Sequence, residues 1–267
     1  MSGSMEKALA ILEYLAARPD GAPLVSIATD LNQIRSGCHR TLNELIKYGY
    51  VRSMQRGDYA LTTKLASMGM SFLSKSGIID IAQPLMNRLA RETEELVRLA
   101  ILDGDRLTLV AKAQGAKVGL LYDPDMGIDL RLSCSAAGQA WLATLTDQQV
   151  IEAVTRQGLG EPANFGPNAP TTIKALLKML GEHRKRGFSM INEVYAPGMS
   201  SMAAVVKRKG EPATGALIVA APTSRFTEEQ MTRLGPRLIR LADELALVGS
   251  ASPLLKAGNL GTWGNKA

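Results

Sequence analysis

The chain has few residues of the kinds that build disulfide frameworks and metal clusters. It contains two cysteines and two histidines in 267 residues, and Cys38 and Cys134 lie far apart in the sequence. So small a number of cysteines predicts no disulfide framework and no cysteine metal cluster, and it fits a reducing, cytoplasmic environment. Long apolar runs are also missing. No stretch reaches the length of a membrane span, and the N-terminus lacks the charged-then-apolar pattern of a signal peptide.

Familiar catalytic motifs are absent as well. The sequence contains no GxSxG, HExxH, P-loop or GxGxxG in a suitable context. His183 lies in the charged run 182–186, for which we expect a solvated helix end. Cys134 is expected to be a small buried residue, with an activated thiolate as the alternative. We therefore predict no enzyme, no cofactor and no metal site, and keep as the alternative a hydrolase or amidase that uses Cys134 or Ser135.

Neither sign of charge is in large excess. The net charge of +6 divides equally: residues 1–75 hold 9 basic and 6 acidic side chains, and residues 76–267 hold 22 and 19. A mild excess suits docking on phosphates through a few placed groups. The length allows two domains, each with a core of its own.

The segment from Ile27 to Tyr59 has the pattern of two short helices around a polar turn, followed by a β-hairpin. Asn32 is predicted to end the first helix, Ser36 to cap the second and Gly49 to end it. The second helix has a predicted buried stripe of Cys38, Leu42, Leu45 and Ile46. This order predicts a winged helix-turn-helix. An ordinary αα-hairpin and β-hairpin in some other domain is the alternative.

Helices flank this segment. Ser4 is predicted to cap an amphipathic helix at the N-terminus, and residues 63–75 form a second helix dense in large apolar side chains. That density indicates either a linker helix packed on a partner subunit or a helix that covers its own domain.

The remainder is predicted to be α+β, with a six-stranded, mostly antiparallel sheet covered by helices. The strands are expected near residues 96–102, 106–113, 117–122, 188–194, 201–207 and 214–221. The helices are expected at 78–95, 135–145, from 147, at 171–185 and at 227–248. Thr227 and Gln230 have the spacing of a capping box at the start of the last helix.

A stretch of small residues, 133–138, indicates a binding site. It lets backbone come close to a ligand and opens a helix whose free N–H groups suit a carboxylate. A tightly packed strand-to-helix turn is the alternative.

Taken in order, several motifs resemble the isocitrate lyase regulator (IclR) family of transcriptional regulators. They are SMEKALAIL, RSGCHRTLNELIKYGYV, LAILDGDRL, LSCSAAGQAWLA, KRGFSMINEVYAPGMSSMAA and PTSRFTEEQ, and they span nearly the whole chain. The resemblance implies a winged helix-turn-helix over 1–62, a linker helix over 63–76, a profilin/GAF-like effector domain over 77–249 and a flexible tail over 250–267. It also implies a homodimer or a dimer of dimers (a homotetramer) on palindromic operator DNA, with a small organic acid as effector.

Residue by residue, the resemblance implies DNA contacts by Arg35, Ser36, Gly37, His39, Arg40, Thr41 and, in the wing, Arg56. Arg35 and Arg40 are assigned to phosphate or guanine, Ser36 to capping and phosphate, and His39 to phosphate or helix packing. Gly37 replaces the threonine usual in the family, which removes a side chain that can touch DNA.

In the effector domain the resemblance implies a pocket formed by Tyr122, Met126, Ala136, Ala137, Gly138, Ile191, Asn192, Ser201, Ile218 and Ala220. Relatives that bind very small polar acids have an acidic residue and two serines where this chain has Ile191, Ile218 and Ala220. A more apolar wall favours a larger carbon skeleton. We therefore expect an aromatic or similarly apolar carboxylate as effector of a regulator of a catabolic operon. A pure protein-interaction module is a further alternative.

Overall fold

The computed structural model of the chain describes residues 3–117, 127 and 130–256. The chain forms two compact units with the boundary between Lys75 and Ser76. Within the described residues no helix is both long enough and apolar enough to cross a membrane.

The described part of the first unit consists of four helices and three short strands. In chain order they are α1 (Ser4–Ala16), β1 (Ala22–Pro23), α2 (Leu24–Asp30), α3 (Arg35–Lys47), β2 (Val51–Ser53), β3 (Asp58–Leu61) and α4 (Lys64–Lys75). The strands form an antiparallel sheet in the order β1–β3–β2. This confirms the predicted winged helix-turn-helix, to which the structure adds the two-residue strand β1.

The predicted ends of α2 and α3 are confirmed. Asn32 follows α2 with φ +49°, and Gly49 follows α3 with φ +74°, so each takes the left-handed backbone that reverses the chain after a helix. The apolar faces of the helices meet in one core, whose fully buried members include Ile11, Leu15, Ile27, Cys38 and Leu42.

Two predicted helix caps are wrong. Ser4 is the first residue of α1, with Gly3 at the N-cap, and Ser36 is the second residue of α3, with Ile34 at the N-cap. Neither N-cap makes a side-chain hydrogen bond. A hydroxyl caps a helix only from the N-cap position, so neither serine can do so.

Helix α4 has no buried residue. Its large apolar side chains are uncovered in the single chain: Met68 is 51% exposed, Met70 65% and Phe72 61%. The helix predicted over 63–75 is present, and it exposes an apolar surface.

Besides three short 3-10 helices (Pro162–Asn164, Gly249–Ala251 and Pro253–Leu255), the described part of the second unit contains five α-helices and five strands. They are α5 (Ile78–Thr93), β4 (Leu96–Asp103), β5 (Arg106–Gln114), α6 (Ala136–Leu142), α7 (Asp147–Gln157), α8 (Ile173–Arg186), β6 (Ser189–Asn192), β7 (Met199–Val206), β8 (Gly215–Pro222) and α9 (Glu228–Val248). The strands form one antiparallel sheet in the order β5–β4–β8–β7–β6. The α+β class is confirmed. The sixth predicted strand, 117–122, lies outside the described residues except for Lys117.

Both faces of this sheet are buried. Ala203 and Ile218 point to the face whose apolar cluster includes α6 and α8, whereas the neighbouring Met202 and Val219 are buried on the other side. Helices α5 and α9 contact each other and the sheet, and they cover that second face. The predicted capping box of α9 is confirmed, because Thr227 and Gln230 exchange hydrogen bonds of 2.8 and 3.3 Å.

Candidate functional site

The side of α3 opposite its buried face holds the polar residues predicted to contact DNA. Four of them are exposed and two are half-buried: Arg35, Ser36, His39 and Arg40, then Gly37 and Thr41. Of the predicted buried stripe, Cys38, Leu42 and Leu45 are buried, and Ile46 is half-buried against the same core. The helix is therefore held by its apolar face and leaves two arginines and a histidine available to a partner.

Gly37 has open space around it. A Cβ atom built there would meet nothing within 4 Å. Its carbonyl oxygen accepts a 3.1 Å hydrogen bond from Thr41 Oγ1, which turns that hydroxyl back onto the helix. Packing therefore does not require glycine at this position, and the absent side chain leaves backbone accessible on the polar side of α3.

Arg56 lies in the turn between β2 and β3 and is exposed. The turn is closed by the Met54 N–H, which donates to the Asp58 carbonyl oxygen at 2.7 Å, and Gly57 has φ +80°. The charge of Arg56 is thus carried at the tip of a tight hairpin.

A cavity of about 40 Å³ lies between the start of α6 and one face of the second unit's sheet. Six residues predicted from the sequence line it: Ala136, Ala137, Ile191, Ser201, Ile218 and Ala220. Six other described residues also line it: Arg98, Leu109, Leu130, Ser135, Tyr195 and Met199. Most of this wall is apolar, with a few polar groups, which is the usual make-up of a ligand site.

Two other predicted pocket residues, Gly138 and Asn192, do not line the cavity. Gly138 packs on backbone, since a Cβ there would come within 2.3 Å of the Leu132 carbonyl oxygen. Asn192 is exposed, and its Oδ1 accepts a 3.3 Å hydrogen bond from Ser200. Tyr122 and Met126 lie outside the described residues.

The start of α6 is capped by Ser135. Ser135 Oγ accepts a 3.1 Å hydrogen bond from the Gly138 N–H, and the Gln139 N–H donates to the Ser135 carbonyl oxygen at 2.9 Å. The small residues of this segment therefore make a tight turn as well as a cavity wall. The alternative of a tightly packed turn at residues 133–138 is confirmed, and ligand binding by this segment stays a prediction.

Cys134 has the properties of a buried structural residue. It is 1% exposed, its thiol donates to the Leu159 carbonyl oxygen at 3.4 Å, and burial raises its pKa. A raised pKa disfavours the thiolate that nucleophilic catalysis requires. Among the described residues, no group of three or more His, Cys, Asp or Glu side chains is placed to hold a metal ion.

His183 is buried, and the prediction of a solvated helix end is wrong. Only 3% of it is exposed, and Nε2 lies 2.7 Å from Gln139 Oε1. The other charged side chains of the run 182–186 lie on the outer side of α8, whereas His183 lies on the side of α8 that contacts α6. The burial of His183 could not be predicted from the composition of the run, because one buried residue among five leaves the run polar overall.

Arg98 was not singled out from the sequence, although a signal existed. It is the one charge inside the apolar run 96–102, and only 4% of its surface is exposed. Burial raises the pKa of Tyr195, and the positive charge of Arg98 acts in the opposite direction. The phenol and the guanidinium therefore lie within electrostatic reach of each other on the wall of one cavity.

Two family profiles match the chain. The IclR helix-turn-helix domain matches residues 4–54, and the bacterial transcriptional regulator IclR C-terminal domain matches residues 70–247. The chain is also 28% identical to the transcriptional repressor IclR of Escherichia coli over 246 residues, which cover 91% of this chain and 89% of that protein.

Solved structures share the fold. The IclR transcriptional regulator from Alicyclobacillus acidocaldarius superposes with a TM-score of 0.77 at 22% identity, over 93% of this chain and 99% of that one. An IclR homologue from Microbacterium hydrocarbonoxydans, complexed with 4-hydroxybenzoate, gives a TM-score of 0.71 at 19% identity, over 94% and 100%.

Proposed function

The chain belongs to the IclR family of bacterial transcriptional regulators, and we propose how its parts divide the work of that family. It carries both family domains in order, so it is a DNA-binding transcriptional regulator with an effector domain. In the proposal, residues 1–62 bind DNA and residues 77–249 bind the effector. Residues 63–76 form a linker helix between these two domains, and residues 250–267 form a C-terminal tail. The chain acts in the cytoplasm as a homodimer or a dimer of dimers.

The polar side of α3 enters the major groove of a palindromic operator. Arg35 and Arg40 contact phosphate or guanine, and Ser36 and His39 contact phosphate. Gly37 and Thr41 lie on the same side and allow close approach of the helix backbone. Arg56 contacts the minor groove or the backbone from the wing. The exposure of these groups on a helix anchored by its other face supports this half of the proposal.

The cavity beside α6 binds a small carboxylate with an aromatic or similarly apolar skeleton. The observation that carries this half is the lining itself, in which apolar side chains such as Ile191, Met199 and Ile218 surround a few polar groups. The solved relative with 4-hydroxybenzoate supports an aromatic acid as the class to test first.

The size of the cavity suggests how the ligand acts. A free volume of about 40 Å³ has room for a few water molecules, and a benzoate needs more. The cavity is also partly open to solvent, so in the proposal the ligand enters from the open side and the wall adjusts to it. Met199, which is unbranched, and Tyr195, which is half-buried, are the side chains best able to adjust. A ligand that binds only the enlarged cavity shifts the population of states, and with it the spacing of the paired recognition helices. No step is catalytic: Cys134 and Ser135 have structural roles.

The test is operator binding in the presence of candidate acids. Fluorescence anisotropy with labelled duplexes from the DNA flanking the gene should give specific, salt-dependent binding. Addition of benzoate, 4-hydroxybenzoate or phenylacetate should change the apparent affinity. A response to glyoxylate or pyruvate alone would contradict the aromatic class, and failure to bind any flanking duplex would favour a protein-interaction role.

A further inference from the structure

A second and larger cleft lies on the other side of the sheet from the cavity beside α6. It has a volume of about 250 Å³ and is open to solvent. It lies between the end of α5 and the first half of α9, the two helices that cover that face of the sheet. More than half of its lining residues are charged, whereas the cavity beside α6 is mainly apolar. The two sites therefore suit different ligands.

Two of the three arginines that line this cleft are held in place by ion pairs. Nε and Nη2 of Arg225 donate to Glu95 at 2.6 and 2.9 Å, and the same two atoms of Arg237 donate to Glu92 at 2.9 and 2.6 Å. A guanidinium group has five N–H donors, so these pairs leave the donors of Nη1. Neither Nη1 atom has a hydrogen-bond partner among the described residues. Each ion pair thus orients a guanidinium group and leaves part of it available to a ligand.

Arg233 brings a third guanidinium group to the cleft. It is exposed, and within the described part of the chain it makes no ion pair or hydrogen bond through its side chain. It lies four residues before Arg237 in α9, so the two positive charges are neighbours on one side of the helix and repel each other. Glu92 offsets the charge of Arg237 alone. With three arginines and two glutamates, the cleft carries one more positive than negative charge, which a bound anion would offset.

The arrangement of the donors favours a phosphate group over a carboxylate. Besides the three guanidinium groups, the cleft is lined by Gln230, whose Oε1 accepts from the Thr227 N–H, so that its Nε2 donors remain. A planar carboxylate is satisfied by the fork of one arginine. A phosphate group has three or more oxygens that point in different directions, so it can accept from several arginines at once. The cleft has room for several water molecules, and a phosphate group fits in that space.

We propose that this cleft is a second ligand site, which binds the phosphate group of a small anion. Arg233 provides the charge that no carboxylate of the cleft offsets, and Arg225 and Arg237 add donors through Nη1. The ligand is either inorganic phosphate or a phosphorylated metabolite, since the recognised group is the same in both. The site is separate from the cavity beside α6, so the inference does not depend on the effector class proposed above.

The experiment is calorimetry on the full-length protein in phosphate-free buffer at constant ionic strength. The probes are inorganic phosphate, glucose 6-phosphate and acetate. Wild type should bind at least one of the two phosphates saturably and about tenfold or more tightly than acetate, because one additional hydrogen bond between charged groups is worth about that factor. The tighter of the two phosphates identifies the source: a free ion if it is inorganic phosphate, a metabolite if it is the sugar phosphate.

R233M tests the assignment of the site. Arg233 is exposed and outside the ion pairs, so the variant should fold, and thermal unfolding verifies this. R233M should bind the phosphate about tenfold or more weakly than wild type, and R233K should keep part of the affinity because it keeps the charge. R240M is the matched control: it removes an exposed arginine from the same helix that does not line the cleft, and it should bind as wild type does.

Three results would overturn the inference. They are a wild type without saturable phosphate binding, a wild type that binds acetate as tightly as phosphate, and a folded R233M with the affinity of wild type, which would place the anion elsewhere. None of these results bears on operator binding or on aromatic acids, so the proposed function stands or falls separately.

Discussion

His183 Nε2 and Gln139 Oε1 lie 2.7 Å apart in a buried hydrogen bond that joins α8 to α6. An amide oxygen only accepts, so His183 Nε2 carries the proton and Nδ1, 3.2 Å from Arg186 Nη2, accepts from the guanidinium. Gln139 Nε2 in turn donates to the Ser133 carbonyl oxygen at 2.7 Å. A neutral imidazole therefore fixes the segment that leads into α6 and the cavity.

This arrangement predicts that the effector domain loses stability in mild acid. Burial, with the charge of Arg186, lowers the pKa of His183 from 6.5 to about 4. Between these values the unfolded chain binds a proton that the folded chain does not, so stability falls as pH drops below about 6.5. The loss is on the order of 2 kcal/mol at pH 5. Urea denaturation of the full chain between pH 4.5 and 7.5 measures it.

H183Q and H39Q separate this effect from other titrations. His39 is exposed on α3, so H39Q should keep the slope of stability against pH, whereas H183Q should flatten it between pH 5 and 6.5. Equal slopes for H183Q and wild type would contradict the assignment to His183.

His183 and Arg98 show where sequence reasoning ends. Local patterns sufficed to predict the helices and strands. The spacing of apolar residues, the helix ends at Asn32 and Gly49, and the capping box at Thr227 each depend only on residues close in the sequence. Which face of α8 is buried depends on α6, 44 residues earlier in the sequence. Whether Arg98 faces solvent or a cavity depends on strands far along the chain. Such facts are set by tertiary packing, which a single sequence does not display.

Replacement of Arg40 by alanine should weaken operator binding without unfolding the protein. Arg40 is exposed, so the free energy of unfolding should change by less than about 0.5 kcal/mol. Loss of a guanine or phosphate contact should reduce affinity about tenfold or more, and a phosphate contact should also lower the salt slope by about one. Anisotropy titrations at several salt concentrations measure both. R91A, at an exposed arginine of α5, is the control, and equal affinity of R40A and R91A would contradict the role.

Gly37 should accept alanine with a gain in stability. A Cβ there meets nothing within 4 Å, so removal of the backbone entropy of glycine in a helix should stabilise the protein by about 0.5–1 kcal/mol. Gly181 in α8 has the same open surroundings, and G181A should stabilise it similarly. Only G37A should alter operator affinity, because it adds a methyl group to the side of α3 proposed to face DNA. A destabilised G37A, or identical DNA binding by both variants, would contradict this account.

The ion pair between Arg225 and Glu95 should contribute more to stability than the similar pair between Arg237 and Glu92. Both are bidentate, with distances of 2.6 to 2.9 Å. The Glu95 side chain is 7% exposed and that of Glu92 is 39% exposed, so solvent screens the second pair far more. R225A leaves a buried carboxylate without its partner and should lower the free energy of unfolding by about 2 kcal/mol. R237A should lower it by less than about 1 kcal/mol.

Urea denaturation of the two variants at pH 7 and two salt concentrations decides between burial and geometry as the source of the stability. If burial matters, R225A has the larger effect and its loss changes little with salt, because salt screens exposed pairs more than buried ones. If bidentate geometry alone matters, the two arginine variants lose equal stability. The second result would mean that the carboxylate of Glu95 finds another donor once Arg225 is gone, and that the start of β4 does not depend on this pair.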